Sequence, residues 1–237
     1  MSFFFKFKKL LFIFLNKVIV WSAPEAGQEG EAILLRKIFN SKLLKKGFYV
    51  DIGAHHPFRY SNTYIFYQRG WSGINIEPNK DDFNSFKSDR KRDINLNIGV
   101  SKLGKHVYYM YNEPALNTID PNTVKLRSSQ GIHYIKKKYT ACDTLSNILD
   151  KNLPKNIKEI DFFNIDVEGN ELEVLKTNNW KKYIPKVIVC EILNSNLEDV
   201  LNSEITLFLK NRNYNIFSKL YNSVFYINKK FEKKINL

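Results

Sequence analysis

Acidic residues stand at the ends of several short apolar runs in this sequence. The run that begins at Phe48 ends in Asp51, followed by Ile52, Gly53 and Ala54, and a later run ends in Glu77. Two further runs end in Asp166 with Glu168 and in Glu191. One such acid can simply cap a turn, but several at one edge of a parallel sheet indicate a site for a polar ligand.

The turn after the first run is poor in glycine. Gly53 is followed by Ala54, His55 and His56, where a diphosphate-binding turn has more glycines. A dinucleotide needs several backbone amides against a helix N-terminus to hold its diphosphate. The sequence therefore favours a cofactor without phosphate, such as S-adenosylmethionine.

Each part of S-adenosylmethionine has candidate partners among these residues. We expect Glu77 to bind the ribose diol and Asn97 to lie near the adenine. The amino acid end of the cofactor is expected near Asp51 and Gly53, with its carboxylate reaching Asn62 and Thr63. The other predicted cofactor-binding residues adjoin these positions and are Ala54, His55 and Pro78.

Apolar runs of strand length alternate with helical patterns along the chain. This order predicts a doubly wound α/β domain, with a mostly parallel sheet and helices on both faces. We expect its third strand at residues 94–100 and a helix at 200–212. The last two strands, at 214–219 and 223–228, are close enough in sequence to form an antiparallel hairpin.

The segment at about 105–140 interrupts this alternation and is rich in loop-forming residues. A long irregular segment inside a compact domain is usually functional or partly disordered. We predict that it recognises the substrate, with Tyr108, Tyr109 and Tyr111 stacking on a sugar ring and Asn117 binding its hydroxyls. The tyrosines of this segment are equally compatible with ordinary core or edge-strand positions.

The first 23 residues form a separate element from the domain at 24–237. Within it, residues 3–21 are aromatic and aliphatic but interrupted by four lysines and Asn16, which is unlike a membrane-spanning helix of about 20 apolar residues. Most of the polar residues fall on one helical arc, which favours an amphipathic helix on an anionic leaflet. Packing on the domain or on a partner subunit is the alternative.

The chain carries 37 Lys and Arg against 24 Asp and Glu, a formal charge of +13. This charge favours polyanionic partners, although lysines spread over solvated faces would give the same total. We find no sequence motif for nucleic-acid binding and expect no specific nucleic-acid partner. The two cysteines indicate reduced thiols, and we expect a cytoplasmic protein, with peripheral contact at the inner face of the membrane as an option. A homo-oligomer is compatible with the sequence.

The sequence also resembles the FkbM-type methyltransferases, a branch of the class I S-adenosylmethionine-dependent enzymes. The resemblance rests on VDIGAHHPFRYSNTYIFYQRGWSGINIEPN (50–79), INLNIGVS (94–101), NEPALNT (112–118), IDFFNIDVEGNELEVLK (160–176) and PKVIVCEI (185–192). It implies a Rossmann-like sheet of about seven strands with an antiparallel C-terminal strand. The family pattern SQxGED is replaced by AGQEGE at 26–31.

The resemblance also implies roles for individual residues. It places Asp51, Gly53 and Glu77 in the cofactor site, and Asp166–Gly169 in an acidic motif beside the substrate. Members of the family are mostly O-methyltransferases, and many resemble enzymes that methylate sugars of bacterial surface polysaccharides such as capsule, O-antigen or exopolysaccharide. The implied acceptor is a sugar, a nucleotide sugar or a glycan.

A sugar hydroxyl is a poor nucleophile, and two arrangements would activate it. In one, His56 or His55 accepts the proton. In the other, Asp166, Glu168 and Glu191 hold Mg²⁺ or Mn²⁺, for which hard oxygen ligands are suited. The same carboxylates could instead bind hydroxyl groups of cofactor and substrate directly.

Other functions fit the same fold. A nicotinamide-dependent oxidoreductase conflicts with the missing glycines after Gly53. A non-catalytic protein that binds membranes or polyanions would use the positive charge but would not need the acids at the strand ends. Methylation of RNA or of a small metabolite would share the chemistry and differ only in the acceptor.

Overall fold

The computed structural model describes residues 27–39 and 46–234. The strands in chain order are β1 (Phe48–Ile52), β2 (Ser72–Ile76), β3 (Ile94–Leu96), β4 (Gly99–Val100), β5 (Gly104–Met110), β6 (Lys136–Asp143), β7 (Phe162–Ile165), β8 (Val187–Glu191), β9 (Tyr214–Lys219) and β10 (Ser223–Asn228). The helices are α1 (Glu31–Ile38), α2 (Tyr64–Gln68), α3 (Lys80–Asp89), α4 (Pro121–Ser129), α5 (Leu145–Asn152), α6 (Glu171–Lys176), α7 (Leu197–Asn202), α8 (Glu204–Lys210) and α9 (Lys229–Glu232). The predicted N-terminal helix lies outside the described residues.

Seven strands form the main sheet in the order β3-β2-β1-β7-β8-β10-β9. β1, β2, β3, β7 and β8 run parallel, whereas β10 is antiparallel to both of its neighbours. This confirms the predicted doubly wound α/β fold and its closing hairpin. The strand order reverses between β1 and β7, so the ligand site of such a fold is expected at their carboxyl ends.

Apolar side chains cover the sheet on both faces, which is why its strands read as nearly continuous hydrophobic runs. Val50, Phe163 and Ile188 belong to the cluster of buried residues on one face. Tyr49 and Phe162, each adjacent in sequence to one of these, belong to the cluster on the other face. The alternation follows from the two-residue period of a strand.

The prediction of one continuous third strand at 94–100 is wrong, because this segment forms two short strands in different sheets. β3 pairs with β2, whereas β4 pairs with β6 in a separate three-stranded sheet of order β4-β6-β5. Between them, Asn97 donates side-chain hydrogen bonds to the carbonyls of Glu77 at 2.8 Å and Pro78 at 3.1 Å. Pro78 has no N–H group, so the ladder with β2 cannot continue past this point.

The segment at 105–140 is also more regular than predicted. It contains most of β5, the helix α4 and the first part of β6. α4 begins after Asp120, whose carboxylate accepts from the Thr123 amide at 2.7 Å, and Pro121 fills the first helical position. This Asp-Pro pair is a helix-start signal.

The helix predicted at 200–212 is two helices, α7 and α8. Ser203 interrupts them, because its backbone is extended and its hydroxyl accepts from the Thr206 amide at 3.1 Å. Ser203 is therefore an N-cap residue rather than the middle of a helix. In the described part of the chain, no helix is both long enough and apolar enough to cross a bilayer.

A buried ion pair between Arg90 and Asp93 joins α3 to the first two strands. The Arg90 guanidinium donates to Asp93 at 2.9 Å, to the Tyr49 hydroxyl at 2.8 Å and to Thr63 Oγ1 at 2.9 Å. Asp93 also accepts from the Gly73 amide at 2.9 Å. Because the Arg90 side chain is fully buried, its charge depends on these partners.

We predict that Arg90→Met destabilises the protein by about 3–5 kcal/mol, since Asp93 would remain buried without its cation. Urea denaturation would measure the free energy of unfolding. The control is Lys91→Met at the exposed neighbouring position, which should change stability by about 0.5 kcal/mol or less. Equal effects of the two substitutions would contradict the structural role of Arg90.

Candidate active site

A cleft opens at the carboxyl edge of the main sheet, beside the reversal in strand order. The ends of β1, β2 and β7 line it on one side, and residues 98–100, Tyr108 and the 114–119 segment line it on the other. It is the position that the fold predicts for a ligand. Several predicted cofactor residues contribute to its lining, namely Asp51, Gly53, Ala54, His55, Glu77 and Pro78.

Gly53 allows β1 and β7 to turn against each other. Its φ angle of 77° lies in the left-handed region, and an added Cβ would lie 1.7 Å from the carbonyl oxygen of Asp166. The amides of Gly53 and Ala54 both donate to the Ile76 carbonyl, at 3.0 and 3.1 Å. Only glycine fits this turn. The turn brings the ends of β1, β2 and β7 to one wall of the cleft.

Asp51 lies at the floor of the cleft and is held by two side chains. Thr63 Oγ1 donates to one carboxylate oxygen at 2.7 Å, and Asn164 Nδ2 donates to the other at 2.9 Å. Asn62 in turn donates to Asn164 at 3.0 Å. Burial raises the pKa of Asp51, and the hydrogen bonds from Thr63 and Asn164 oppose that shift.

Asn62 and Thr63 therefore lie beside the site, where they hold the side chains of Asn164 and Asp51 at the ends of β7 and β1. Both side chains are buried and neither lines the cleft. Arg90 donates to the same Thr63 oxygen, so Thr63 links the buried Arg90–Asp93 ion pair to Asp51. We expect the two residues to act on the cofactor through Asp51 and Asn164.

Glu77 lies at the end of β2 and faces the cleft. Its two oxygens accept from the backbone amides of His55 at 2.8 Å and Asn79 at 2.6 Å. Burial raises the pKa of Glu77 to about 8, although both backbone hydrogen bonds lower it. Each oxygen retains a lone pair that a ligand hydroxyl could use.

The two histidines have different positions. His55 lines the cleft with a φ angle of 50°, and its buried Nε2 atom has no hydrogen-bond partner. His56 does not line the cleft, and its Nδ1 accepts from the amides of Phe58 and Arg59 at 3.3 and 3.1 Å. Burial and the neighbouring His55 lower the pKa of His56. The geometry favours His55 over His56 as a group that contacts a ligand.

Asn97 does not line the cleft, because its amide is bonded to the backbone at the end of β2. The adjacent Ile98 and Val100 do line it and offer apolar surface instead. The sequence alone could not predict that Ile98 and Val100 line the cleft, because this depends on the chain leaving the main sheet at Asn97.

Asp166, Glu168 and Glu191 form a cluster of carboxylates at the ends of β7 and β8. Each offers one oxygen, and these oxygens all lie within 4.8 Å of one another. Removal from water and mutual repulsion raise the pKa of Asp166 and of Glu191. Glu191 Oε2 is buried without a hydrogen-bond partner. The three residues are those predicted from the sequence as metal ligands, and a cation would relieve their repulsion.

Two further residues shape this cluster. Glu168 has a φ angle of 57°, and Glu171 accepts from the amides of Val167 and Gly169, both at 3.1 Å, which holds the acidic turn. Arg127 of α4 forms an ion pair with Glu168. Arg127 was not predicted as a site residue, because α4 lies inside the segment predicted to be irregular.

The residues predicted to bind the substrate occupy different positions. Tyr108 is buried and lines the cleft, whereas Tyr109 does not line it and packs on Tyr134 with ring centres 5.2 Å apart. Asn117 lines the cleft, and its side-chain oxygen accepts from the Tyr111 amide at 2.8 Å. Tyr108 and Tyr109 differ because adjacent residues of a strand point to opposite faces.

A second cleft adjoins the first. The two share Gln28, Tyr60, Ala115 and Glu168, and the second is also lined by Glu191, Arg127 and the side-chain amides of Gln130, Asn194 and Asn222. The acidic cluster therefore lies at the junction of the clefts.

The segment before α1 contributes to the lining of both clefts. Glu29 accepts from the amides of Asn222 and Ser223, at 2.8 and 3.1 Å, and Glu31 accepts from the Ser223 hydroxyl at 2.9 Å. These bonds tie the segment to the β9–β10 hairpin and hold Gln28 where it lines both clefts. This gives a structural role to a segment that departs from the family pattern.

Comparison with known proteins identifies the family. A family model described as the methyltransferase FkbM domain matches residues 51–216, which include the end of β1, the acidic turn and part of β9. The chain belongs to this family. It is thus a methyltransferase of the FkbM group, and the predicted family is confirmed. No curated protein matches the sequence.

Several solved methyltransferase structures are similar to this chain at low identity. An O-methyltransferase from Bacillus cereus in complex with S-adenosylhomocysteine is 12% identical, with coverage of 90% of this chain and 86% of that one and a TM-score of 0.40. A precorrin-6y C5,15-methyltransferase from Geobacter metallireducens is 13% identical, with coverage of 83% and 86% and a TM-score of 0.41. A putative RNA methyltransferase from Pyrococcus horikoshii is 9% identical, with coverage of 84% and 83% and a TM-score of 0.43.

The raised pKa of Glu77 gives a prediction for the pH dependence of stability. Since folding raises this pKa from 4.5 to about 8, the contribution of Glu77 is fully present below pH about 4.5. It is lost as the pH rises through about 8, because folding opposes ionisation of the buried group. The wild-type protein should therefore lose stability relative to Glu77→Gln between about pH 5 and pH 8, as measured by urea denaturation.

Glu204→Gln is the control, because Glu204 is exposed at the start of α8. The pH-dependent loss of stability relative to Glu77→Gln should exceed the change relative to this control over the same pH range. A flat difference for Glu77→Gln would show that Glu77 titrates at its ordinary pKa.

Proposed function

We propose that the protein is an O-methyltransferase that transfers the methyl group of S-adenosylmethionine to a sugar hydroxyl, in the synthesis of a bacterial surface polysaccharide. The observation that carries this proposal is the acidic cluster of Asp166, Glu168 and Glu191 at the junction of two clefts. One cleft fits the cofactor and the other fits a polar acceptor.

The residues of the first cleft fit S-adenosylmethionine. The Glu77 oxygens have free lone pairs for the ribose hydroxyls, and Ile98 and Val100 offer an apolar surface for the adenine. Asp51 and the glycine turn lie beside the amino acid end in this arrangement. When bound, the cofactor supplies an electrophilic methyl group on a sulfonium.

The second cleft fits an acceptor with many hydroxyl groups. Its side-chain amides are donors and acceptors for hydroxyls, and Tyr60 supplies an aromatic ring at the shared wall. These groups would orient the acceptor so that its hydroxyl oxygen, the methyl carbon and the sulfur lie in line. Such alignment can supply about 7–11 kcal/mol of the barrier reduction.

The acidic cluster fits a divalent cation of the Mg²⁺ or Mn²⁺ type. Its donors are hard carboxylate oxygens, and the unpartnered Glu191 Oε2 is available as a ligand. A cation there would lower the pKa of the acceptor hydroxyl as a Lewis acid. Without a cation, the same carboxylates would accept hydrogen bonds from the acceptor directly.

His55 is the favoured proton acceptor among the two histidines. Its unpartnered Nε2 atom and its position in the cleft support this role. Asp82 Oδ2 lies 3.8 Å from the Nδ1 atom of the same ring. His56 keeps a supporting position in the turn that precedes Tyr60.

The proposal predicts that Asp166→Asn lowers methyl transfer to a sugar acceptor by about 100-fold or more, because orientation and activation of the hydroxyl are lost. Binding of S-adenosylhomocysteine should change by less than about threefold, a difference below about 0.7 kcal/mol. Transfer of a labelled methyl group and calorimetry would measure the two quantities separately.

Manganese binding, measured by electron paramagnetic resonance, separates the two modes of activation. We expect Asp166→Asn and Glu191→Gln to lose Mn²⁺ binding, and the exposed Glu204→Gln to retain it. Full activity in excess EDTA would overturn the metal proposal but not the methyl transfer. Unchanged transfer by Asp166→Asn would overturn the assignment of the cluster to catalysis.

A further inference from the structure

The small sheet β4-β6-β5 has two unlike faces. Tyr108 on its inner face lines the cofactor cleft, and Lys138 opposite it lies 5.6 Å from the centre of the Tyr108 ring. Because residues alternate along a strand, the neighbours of these two residues belong to the outer face. The outer face consists of Lys105, Val107, Tyr109, Lys137, Tyr139 and Ala141, with Leu103 and Ile135 flanking the strands.

Large apolar side chains on this outer face are open to solvent. Tyr139 is 74% exposed, Leu103 is 72% exposed and Ile135 is 64% exposed. The solvated face of an antiparallel pair normally carries polar side chains. Several exposed apolar side chains on one face mark an interaction surface rather than a solvated one.

The segments that build the sheet are basic, and Lys105 and Lys137 place positive charge on its outer face. These segments, 101–112 and 131–142, contain five lysines and neither Asp nor Glu. Lys102 Nζ lies 3.6 Å from Glu173, and in the described part of the chain none of the other four lysines has a carboxylate within 4.0 Å. The lysines are Lys102, Lys105, Lys136, Lys137 and Lys138, of which Lys136 and Lys138 alternate onto the inner face.

We propose that the outer face of the β4-β6-β5 sheet binds the surface of an anionic phospholipid bilayer. Lysines interact with anionic headgroups, tyrosine is favoured at the headgroup level, and aliphatic side chains enter the acyl boundary. The face offers all three kinds of side chain together. This contact involves different residues from the N-terminal segment and does not depend on which acceptor is methylated.

Two other occupants fit the face less well. A second copy of the chain would bring lysines against lysines, with no acid to compensate them. A nucleic acid would use the lysines and could stack on Tyr139, but it would leave Leu103 and Ile135 without a partner. Lipid is the occupant that accounts for the charge and the aliphatic surface at once.

Docking through this face would bring the candidate active site close to the membrane. Tyr108 lies on the opposite face of the same strand pair and lines the cleft. One layer of sheet would then separate the headgroups from the cleft, a position suited to an acceptor carried on a lipid.

Vesicle co-sedimentation of the full chain tests the proposal. Vesicles of phosphatidylglycerol and phosphatidylcholine should bind the wild type more tightly than vesicles of phosphatidylcholine alone. We expect Lys105→Glu with Lys137→Glu, and separately Leu103→Ser with Tyr139→Ser, to weaken binding to the anionic vesicles by roughly tenfold or more. Circular dichroism would check that both variants fold.

Lys155→Glu with Lys158→Glu is the matched control, because it makes the same change in charge at exposed positions before the amino end of β7. Binding within about twofold of the wild type is expected for this control. An equal loss in the control and in Lys105→Glu with Lys137→Glu would overturn the proposal, because only net charge would matter. Unchanged binding by Leu103→Ser with Tyr139→Ser would also overturn it.

A fluorescent probe gives a readout that the N-terminal segment cannot produce. Tyr139→Cys can be labelled with an environment-sensitive dye, since Cys142 and Cys190 are buried. Anionic vesicles should shift the emission of the dye to the blue at this position and leave it unchanged for Lys158→Cys. No shift at position 139, or a shift caused by single-stranded RNA in place of vesicles, would contradict a lipid surface.

Discussion

The close contact between Gly53 and the Asp166 carbonyl is the constraint on which the site depends. With an added Cβ 1.7 Å from that oxygen, no other residue allows β1 and β7 to turn at the same point. The contact brings Asp51, Glu77 and the acidic turn to one edge of the sheet. A binding site forms where the strand order reverses, because the backbones after β1 and β7 can approach each other at Gly53.

Around this contact, the protein keeps many charges close together and partly out of water. Arg90 and Asp93 neutralise each other in the interior and support Asp51 through Thr63. Within the described residues, Arg127 forms the ion pair with the cluster of Asp166, Glu168 and Glu191, through Glu168. The charges of Arg90 and Asp93 thus neutralise each other within the fold. The acidic cluster instead keeps carboxylates with raised pKa values, which a cation or a hydroxyl donor can stabilise.

Much of the architecture was predictable from local patterns. The alternation of strands and helices, the closing hairpin and the acids at the strand ends all follow from short stretches of sequence. Asn97 was placed at the right edge, but its amide bonds to the backbone and Ile98 lines the cleft instead. Arg90 and Arg127 were missed because their partners are distant in sequence or lie on unexpected elements. Which tyrosine of β5 lines the cleft could not be predicted, because the orientation of the strand depends on its pairing with β6.

Calorimetric titration with S-adenosylhomocysteine, with NAD⁺ as the comparator, tests the central claim that this strand edge binds a methyl-transfer cofactor. We expect micromolar binding of S-adenosylhomocysteine and no detectable binding of NAD⁺. Asp51→Asn should weaken the binding, since Asp51 lies at the floor of the cleft. Binding of NAD⁺ alone, or equal binding of S-adenosylhomocysteine by the wild type and by Asp51→Asn, would contradict the account.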